Sequence, residues 1–385
     1  MSDNFSGPSG SNSVTEVTST GWFSRVAQSF VGALFGLLLL VGAIVLIFWN
    51  ESRAVDAIRG LKQGTAALVE ASADHVDPAM DGRLVHITGL LAVGVPAEDP
   101  VLGLRHQGVA RLKREVEMLQ WVEHSESVSH TDVGGRKTTE TTYSYSTDWQ
   151  ERPVDSTRFH VRDGHQNPQM SLQTAVFDSP SPSIGGRTVS PEVMPVLSFF
   201  TTLTPPQTAI GGYVRDGDQL FHGANPNQPA VGDLRVHFSA VSVGPISVLA
   251  GQRGAVLVAY RSPDGYLIAL AAPGDVPAAE MLRQKGEEER QLTWILRGAG
   301  FVAVLVGLLL VASPLSTLAS VIPLFGSIVG GGVFLLAFGL AVPITLLCVG
   351  IAWMSVRPLL GGGLVAAAVG SYVLLRLLRP AARQR

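Results

Sequence analysis

From Gly298 to Val356 the chain runs for 59 residues without a single charge. As one helix that stretch would be roughly 88 Å long at 1.5 Å per residue, about three times the hydrocarbon thickness of a bilayer. It must therefore fold back on itself, and it must do so in lipid. Pro314 and Pro323 supply a break, because proline cannot continue a helical hydrogen-bond ladder. The run and its flanks divide into spans at residues 291–313, 326–354 and 358–378. The segment Ser355–Pro358 makes a tight turn before the last span, and 379–385 forms a short basic tail.

A further uncharged run occupies residues 26–50. A cleaved signal peptide would want a basic start, a shorter apolar core and a small-residue cleavage site. This run instead ends in Phe48-Trp49-Asn50-Glu51-Ser52, so it reads as an uncleaved spanning helix, with Trp22 and Trp49 at interfacial positions. Residues 1–25 are rich in Ser, Gly, Asn and Thr, and read as a disordered tail that cannot repay the entropy of ordering.

Between residues 51 and 290 the composition is that of a water-exposed domain. Only 15% of the chain is charged, against about a quarter in soluble proteins, and the deficit lies at the two ends. The net charge of −3 offers no basic excess for nucleic acid. The single cysteine, Cys348, falls in an apolar run, so the polar domain holds neither a disulfide nor a thiolate metal site. The segment 193–210 is the domain's most apolar part, but Pro195, Pro205 and Pro206 break it into a buried loop or interfacial segment.

Residues 54–72 have apolar residues at helical spacing, predicting a helix that continues out of the membrane and is loosened by Gly60 and Gly64. Strand language follows. In 110–123, Leu112, Arg114, Val116, Met118 and Gln120 alternate with Lys113, Glu115, Glu117, Leu119 and Trp121, which favours a half-buried strand over a helix. The polar stretch 125–140, with Gly134 and Gly135 at its centre, reads as a long, mobile hairpin loop. Residues 278–290 form a charged helix leading into the next span. The fold class is thus a membrane protein with four transmembrane α-helices, one N-terminal and three C-terminal, around a large β-rich (α+β) extramembrane domain.

Charge gives conflicting signals on orientation, of which the C-terminal tail weighs more. Arg376, Arg379, Arg383 and Arg385 favour a cytoplasmic C-terminus, which puts the 51–290 domain in the lumen or periplasm. Arg53, Arg59 and Lys62 follow the first span while only Arg25 precedes it, and that bias points the other way.

No catalytic motif is present: no G-x-S-x-G, H-E-x-x-H, Walker loop or G-x-G-x-x-G. The sequence implies no enzyme, no cofactor and no metal site. His124 and His130 lie near Glu123, Glu126 and Asp132, but in the expected mobile loop, which is poor ground for converging ligands. The centres of the spans lack Asp, Glu, Lys and His, which argues against a pump or coupled transporter. Arg297 and Arg357 sit at span ends, where snorkelling is expected. What the spans do hold is glycine: Gly32 and Gly36 form one G-x-x-x-G, Gly326 and Gly330 another. Such pairs let helices approach closely, either within one chain or between copies. Trp121, Glu123 and Trp149 are candidates for a partner-binding surface.

Several stretches resemble the transmembrane protein 43 (LUMA) family: FWNESRAV at Phe48–Val55, GRLVHITG at Gly82–Gly89, LKREVEMLQWVE at Leu112–Glu123 and YSYSTDW at Tyr143–Trp149. GHQNP at Gly164–Pro168, NPNQPAVGDLRVHFS at Asn225–Ser239, TWILRGAG at Thr293–Gly300 and VRPL at Val356–Leu359 continue the likeness in the same order. The resemblance implies a four-span protein of the endoplasmic reticulum and inner nuclear membrane, with both tails in cytosol or nucleoplasm and the large domain in the lumen. It further implies self-association and a scaffolding role with lamin and emerin partners. In a bacterial chain the corresponding place is the inner membrane. The family brings no catalytic residues. The expected partners are the bilayer, further copies of the chain and other membrane or membrane-associated proteins. The rival is a membrane-anchored sensor that binds a ligand or lipid through its outer domain.

Overall fold

A computed structural model describes residues 13–206, 211–320, 323–354 and 357–377, with the side chains of 323–328 left undescribed. Four helices are long and apolar enough to cross a membrane, and they flank a β-rich region. They are α1 (Trp22–Ala67), α2 (Ala278–Ala319), α3 (Pro323–Trp353) and α4 (Pro358–Leu377).

The helix expected over 54–72 is the outer end of α1 only as far as Ala67, and Leu68–Glu70 leaves it as a short strand paired parallel with Leu84–His86. α1 as a whole is a single 46-residue helix of roughly 69 Å. The charged helix expected over 278–290 is likewise the start of α2. The far end of α2 differs as well. The break expected at Pro314 does not occur, since α2 runs through it to Ala319. Proline removes one ladder bond, and here α1 braces the last turns: Trp22 Nε1 donates to the Thr317 carbonyl at 3.2 Å and Ser313 Oγ to the Ser29 carbonyl at 3.2 Å. Residues 379–385 lie outside the described residues.

The principal strands are β1 (Ser13–Thr20), β2 (Leu84–Val93), β3 (Val109–Thr131), β4 (Lys137–Gln150), β5 (Leu234–Ser242) and β6 (Gly244–Arg253). One sheet orders them β1-β4-β3-β5 and continues into the hairpin of Gln219–His222 and Val214–Asp216. In the other, β2 and β6 pair with each other and three short strands close the circle between them, making a small barrel-like ring. β5 and β6 follow one another across Val243 and join the two sheets.

The alternation read in 110–123 holds. Leu112, Val116, Met118 and Gln120 are fully buried, while Lys113, Glu115 and Glu117 on the other face are only half-buried. Arg114 shares the inner face, where its Nη1 binds both oxygens of the fully buried Asp99, at 2.7 and 2.6 Å. The apolar segment from 193 is a buried loop, with Val193, Met194 and Leu197 in the core of the ring. Positions 207–210 lie outside the described residues.

Two expectations are corrected. The tail is not disordered from residue 13 onward: β1 pairs antiparallel with β4 over eight positions, from Ser13↔Ser144 to Thr20↔Lys137. Its β-branched Val and Thr residues suit a strand, and the exposed edge of β4 supplies the hydrogen-bond partners. Nor is 125–140 a free loop. β3 and β4 pair out to Thr131↔Lys137, with hydroxyl rungs Ser127–Thr141 and Ser129–Thr139 at 2.9 Å and Thr15–Thr142 at 3.2 Å.

The resulting three-stranded ribbon turns at Gly134 and Gly135, both with positive φ. Its tip touches the N-terminal end of α1: Arg25 Nη1 donates to the Gly135 carbonyl at 2.7 Å. The opposite end of α1 carries the domain. There Leu84, Leu249, Ile268, Met281 and Leu282 form a core with Leu61 and Tyr266. Gly60 and Gly64, expected to loosen the helix, are points of close packing: a Cβ at Gly60 would lie 2.3 Å from Tyr266, and one at Gly64 2.4 Å from Ile268.

A buried polar belt where the helices enter the domain

α1 and α2 pack antiparallel along their length. At their lower ends the seam is apolar, with Ala43, Ile47 and Val304 buried together. Near residue 50 it turns polar. Asn50 and Glu51 are both fully buried. Arg297 Nε and Nη2 donate to Glu51 Oε1 and Oε2 at 2.7 Å each, a bidentate pairing matched to the planar guanidinium fork. Trp353 Nε1, from α3, donates to the same carboxylate. Three helices thus meet on one acid.

Closer to the domain the pattern repeats. Arg53 pairs with Glu289 and its Nη2 donates to Thr293 Oγ1 at 3.3 Å. Lys285 Nζ lies 3.1 Å from Glu289, and Tyr266 Oη donates to it at 3.3 Å. Burial opposes the Glu289 charge, but hydrogen bonds and attraction from Lys285 and Arg53 outweigh it, leaving its carboxyl below the ordinary range. Burial and the Glu289 charge push the Tyr266 phenol up to about 12. Asn50 Nδ2 donates to the Thr293 carbonyl at 3.2 Å, while Asn50 Oδ1 and Arg53 Nε are buried without a partner among the described residues.

Such a belt can lock the domain to the helices or transmit a change in one to the other. A buried carboxylate on one helix and a guanidinium on the next fix their rotation and register, since any slip leaves two charges unpaired. Among the described residues it holds no nucleophile–base pair and no oxyanion-type cradle.

The sequence-expected residues fall elsewhere. Gly36 lies in the α1–α2 seam, where a Cβ would sit 2.6 Å from Leu310 Cβ and 2.8 Å from the Gly307 carbonyl; at Gly32 the nearest atom is Ser313 Oγ at 3.8 Å. Of this pair, Gly36 is the one that lies in close contact with α2. Gly330 faces open space, and the surroundings of Gly326 lie outside the described residues. Trp121, Glu123 and Trp149 are half-buried and engaged internally: Trp121 edge-on to His165 at 4.7 Å, Glu123 accepting from Tyr145 Oη at 2.6 Å, Trp149 beneath Arg235 at 4.6 Å.

The belt itself was not legible as a site. Arg297 was expected to snorkel, yet its guanidinium turns inward to Glu51. The available signal was an acid directly after one apolar run and a lone arginine at the mouth of the next.

The family profile described as Transmembrane protein 43 matches residues 118–358. Transmembrane protein 43 of Mus musculus is 34% identical, covering 99% of both chains, and that of Homo sapiens is 35% identical over 88% of each. The Transmembrane protein 43 homolog of Drosophila melanogaster is 29% identical, over 89% of this chain and 93% of its own. No solved structure matches.

Proposed function

The chain belongs to the Transmembrane protein 43 family, and from that premise we propose that it is a non-enzymatic, multi-pass membrane organiser. In this reading it self-associates and presents its β-rich domain to other membrane or membrane-associated proteins. Its place is the endoplasmic reticulum and inner nuclear membrane of a eukaryotic cell, or the inner membrane of a bacterial one.

The observation that carries the reading is the pair of open edges on the β1–β4–β3 ribbon. At Trp121 the outer edge of β3 is still satisfied, by Asn167 Oδ1 and Nδ2. From Glu123 to Thr131 no strand lies on that side among the described residues, and from Val14 to Thr20 none lies on the outer side of β1. Positions 123–131 span roughly 30 Å at 3.3 Å each, about the thickness of the hydrocarbon core. The ribbon runs between the domain end and the N-terminal end of α1, alongside the apolar run 26–50. Unpaired strand edges are costly in lipid and are templates for pairing anywhere. A neighbouring copy supplies the missing strand, with β1 of one chain beside the distal β3 of the next. Because the two edges differ, the contact is heterologous and propagates into a ring or array, which suits an organiser.

Val17 and Val128 stand at the same height, both opposite Glu140. In a Cys348→Ala background, Val17→Cys in one tagged copy and Val128→Cys in another should form a mixed disulfide in native membranes. Recovery of monomers alone, together with a monomeric mass in mild detergent, would refute self-association by this route.

A further inference from the structure

A cavity of about 590 Å³ opens between α2, α3 and α4 next to the polar belt. Its deeper walls are apolar, formed by Phe301, Val349 and Leu364 among others. Its mouth carries two guanidiniums, Arg297 and Arg357, both near the Trp353 ring: Cζ of Arg297 stands 5.9 Å and that of Arg357 5.5 Å from the ring centroid. No carboxylate lines this cavity. Arg297 spends Nε and Nη2 on Glu51 and keeps Nη1 free, while the exposed Arg357 side chain has no acceptor among the described residues. The helix dipole of α4, which begins at Pro358, adds positive potential at the same place.

We propose that this cavity is a binding site for one anionic phospholipid of the leaflet on the domain side. Arg357 and the free Nη1 of Arg297 hold the phosphate, Trp353 lies beside the glycerol region, and an acyl chain fills the apolar walls. The assignment follows from depth and charge together. The cavity lies between membrane-spanning helices, so its apolar part is filled from the bilayer. Its mouth offers two cations against one carboxylate, Glu51, so an anion completes the balance. A soluble phosphate would satisfy the mouth and leave the walls bare. A zwitterionic lipid would bring no net negative charge to the two arginines. Basic pockets between membrane helices on one leaflet are a recurrent form of anionic-lipid recognition.

The test uses the full-length protein in neutral detergent, with phosphatidylserine and phosphatidylcholine brominated in the acyl chain as tryptophan quenchers. Phosphatidylserine should quench the wild type at least about fivefold more effectively than phosphatidylcholine, the ratio of roughly one basic residue's attraction for an anionic surface. Arg357→Gln should erase that preference, Arg357→Lys should keep most of it, and Arg376→Gln, at the far end of α4, should leave it intact. Thermal melting of each variant checks folding, and inorganic phosphate at millimolar concentration should not relieve quenching. Equal quenching by the two lipids, or a preference untouched by Arg357→Gln, overturns the proposal. Relief by inorganic phosphate alone assigns the mouth to a soluble anion and overturns it equally.

Discussion

Glu51 and Arg297, separated by 246 positions in the sequence, form a two-point ion pair at 2.7 Å with the carboxylate wholly removed from solvent. Their partnership sets the rotation of α1 against α2 at the level where both leave the bilayer for the domain. Truncating one partner of a buried pair strands the other charge, which typically costs about 3–5 kcal/mol. Glu51→Ala should therefore lower the melting temperature of the detergent-solubilised protein strongly. Replacing both residues, as Glu51→Leu with Arg297→Leu, should recover much of the loss. A double variant as unstable as the single one would mean that the pair is not the source of the effect.

Below the belt, the seam relies on close backbone approach. At Gly36 even a methyl group would stand 2.6 Å from Leu310 Cβ, whereas at Gly32 the nearest atom is 3.8 Å away. Overpacking of this kind costs about 1–3 kcal/mol. Gly36→Ala should destabilise the monomer by that order, and Gly32→Ala by less than about 0.5 kcal/mol. Thermal melting read by protease resistance of the domain distinguishes them; equal effects at the two positions would contradict the asymmetric seam.

The glycines show how far the sequence could be read. Small residues at i and i+4 announce a close contact, but the spacing is the same whether the partner is α2 or another copy. Only the position of Gly307 and Leu310 decides it. Span number and the strand character of 110–123 were legible because each rests on local periodicity. The belt was not, because Glu51 and Arg297 are remarkable only as a pair, and pairing is a property of the fold. The ribbon was hidden for a related reason. Residues 13–20 and 125–140 are polar throughout and read as unstructured one at a time, yet each supplies the other's missing hydrogen bonds.

Glu289 gives the belt a pH dependence of definite sign. Its ordinary value is 4.5, and in the fold it is lowered because Lys285 and Arg53 outweigh the opposing effect of burial. A carboxyl depressed on folding stabilises the protein fully above its unfolded value, and that stabilisation is lost as pH falls through the folded one. Melting temperature should therefore be flat near neutrality and decline below about 4.5. Glu289→Gln should be less stable at pH 7 and show a shallower acid decline. A wild-type acid limb in that variant would assign the dependence to other carboxyls.

The ribbon makes a topological prediction that charge counting does not. Residues 26–50 are long and apolar enough to cross the bilayer. The domain lies at one end of α1, while Arg25 and Trp22 at the other end meet Gly135 at the ribbon tip. Val133, exposed beside Gly134 at the ribbon tip, then lies on the N-terminal side of the membrane, opposite the domain. In sealed vesicles of a Cys348→Ala variant, Val133→Cys should react with an impermeant maleimide from one face only. Asp218→Cys, exposed on the domain, should react only from the other. Native Cys348 is buried in the helix bundle, so restoring it should add no signal on either face. Labelling of positions 133 and 218 from the same face would mean that the ribbon stays with the domain. The Arg25–Gly135 contact would then not exist in the membrane, and the open edges would no longer need a second copy to shield them from lipid.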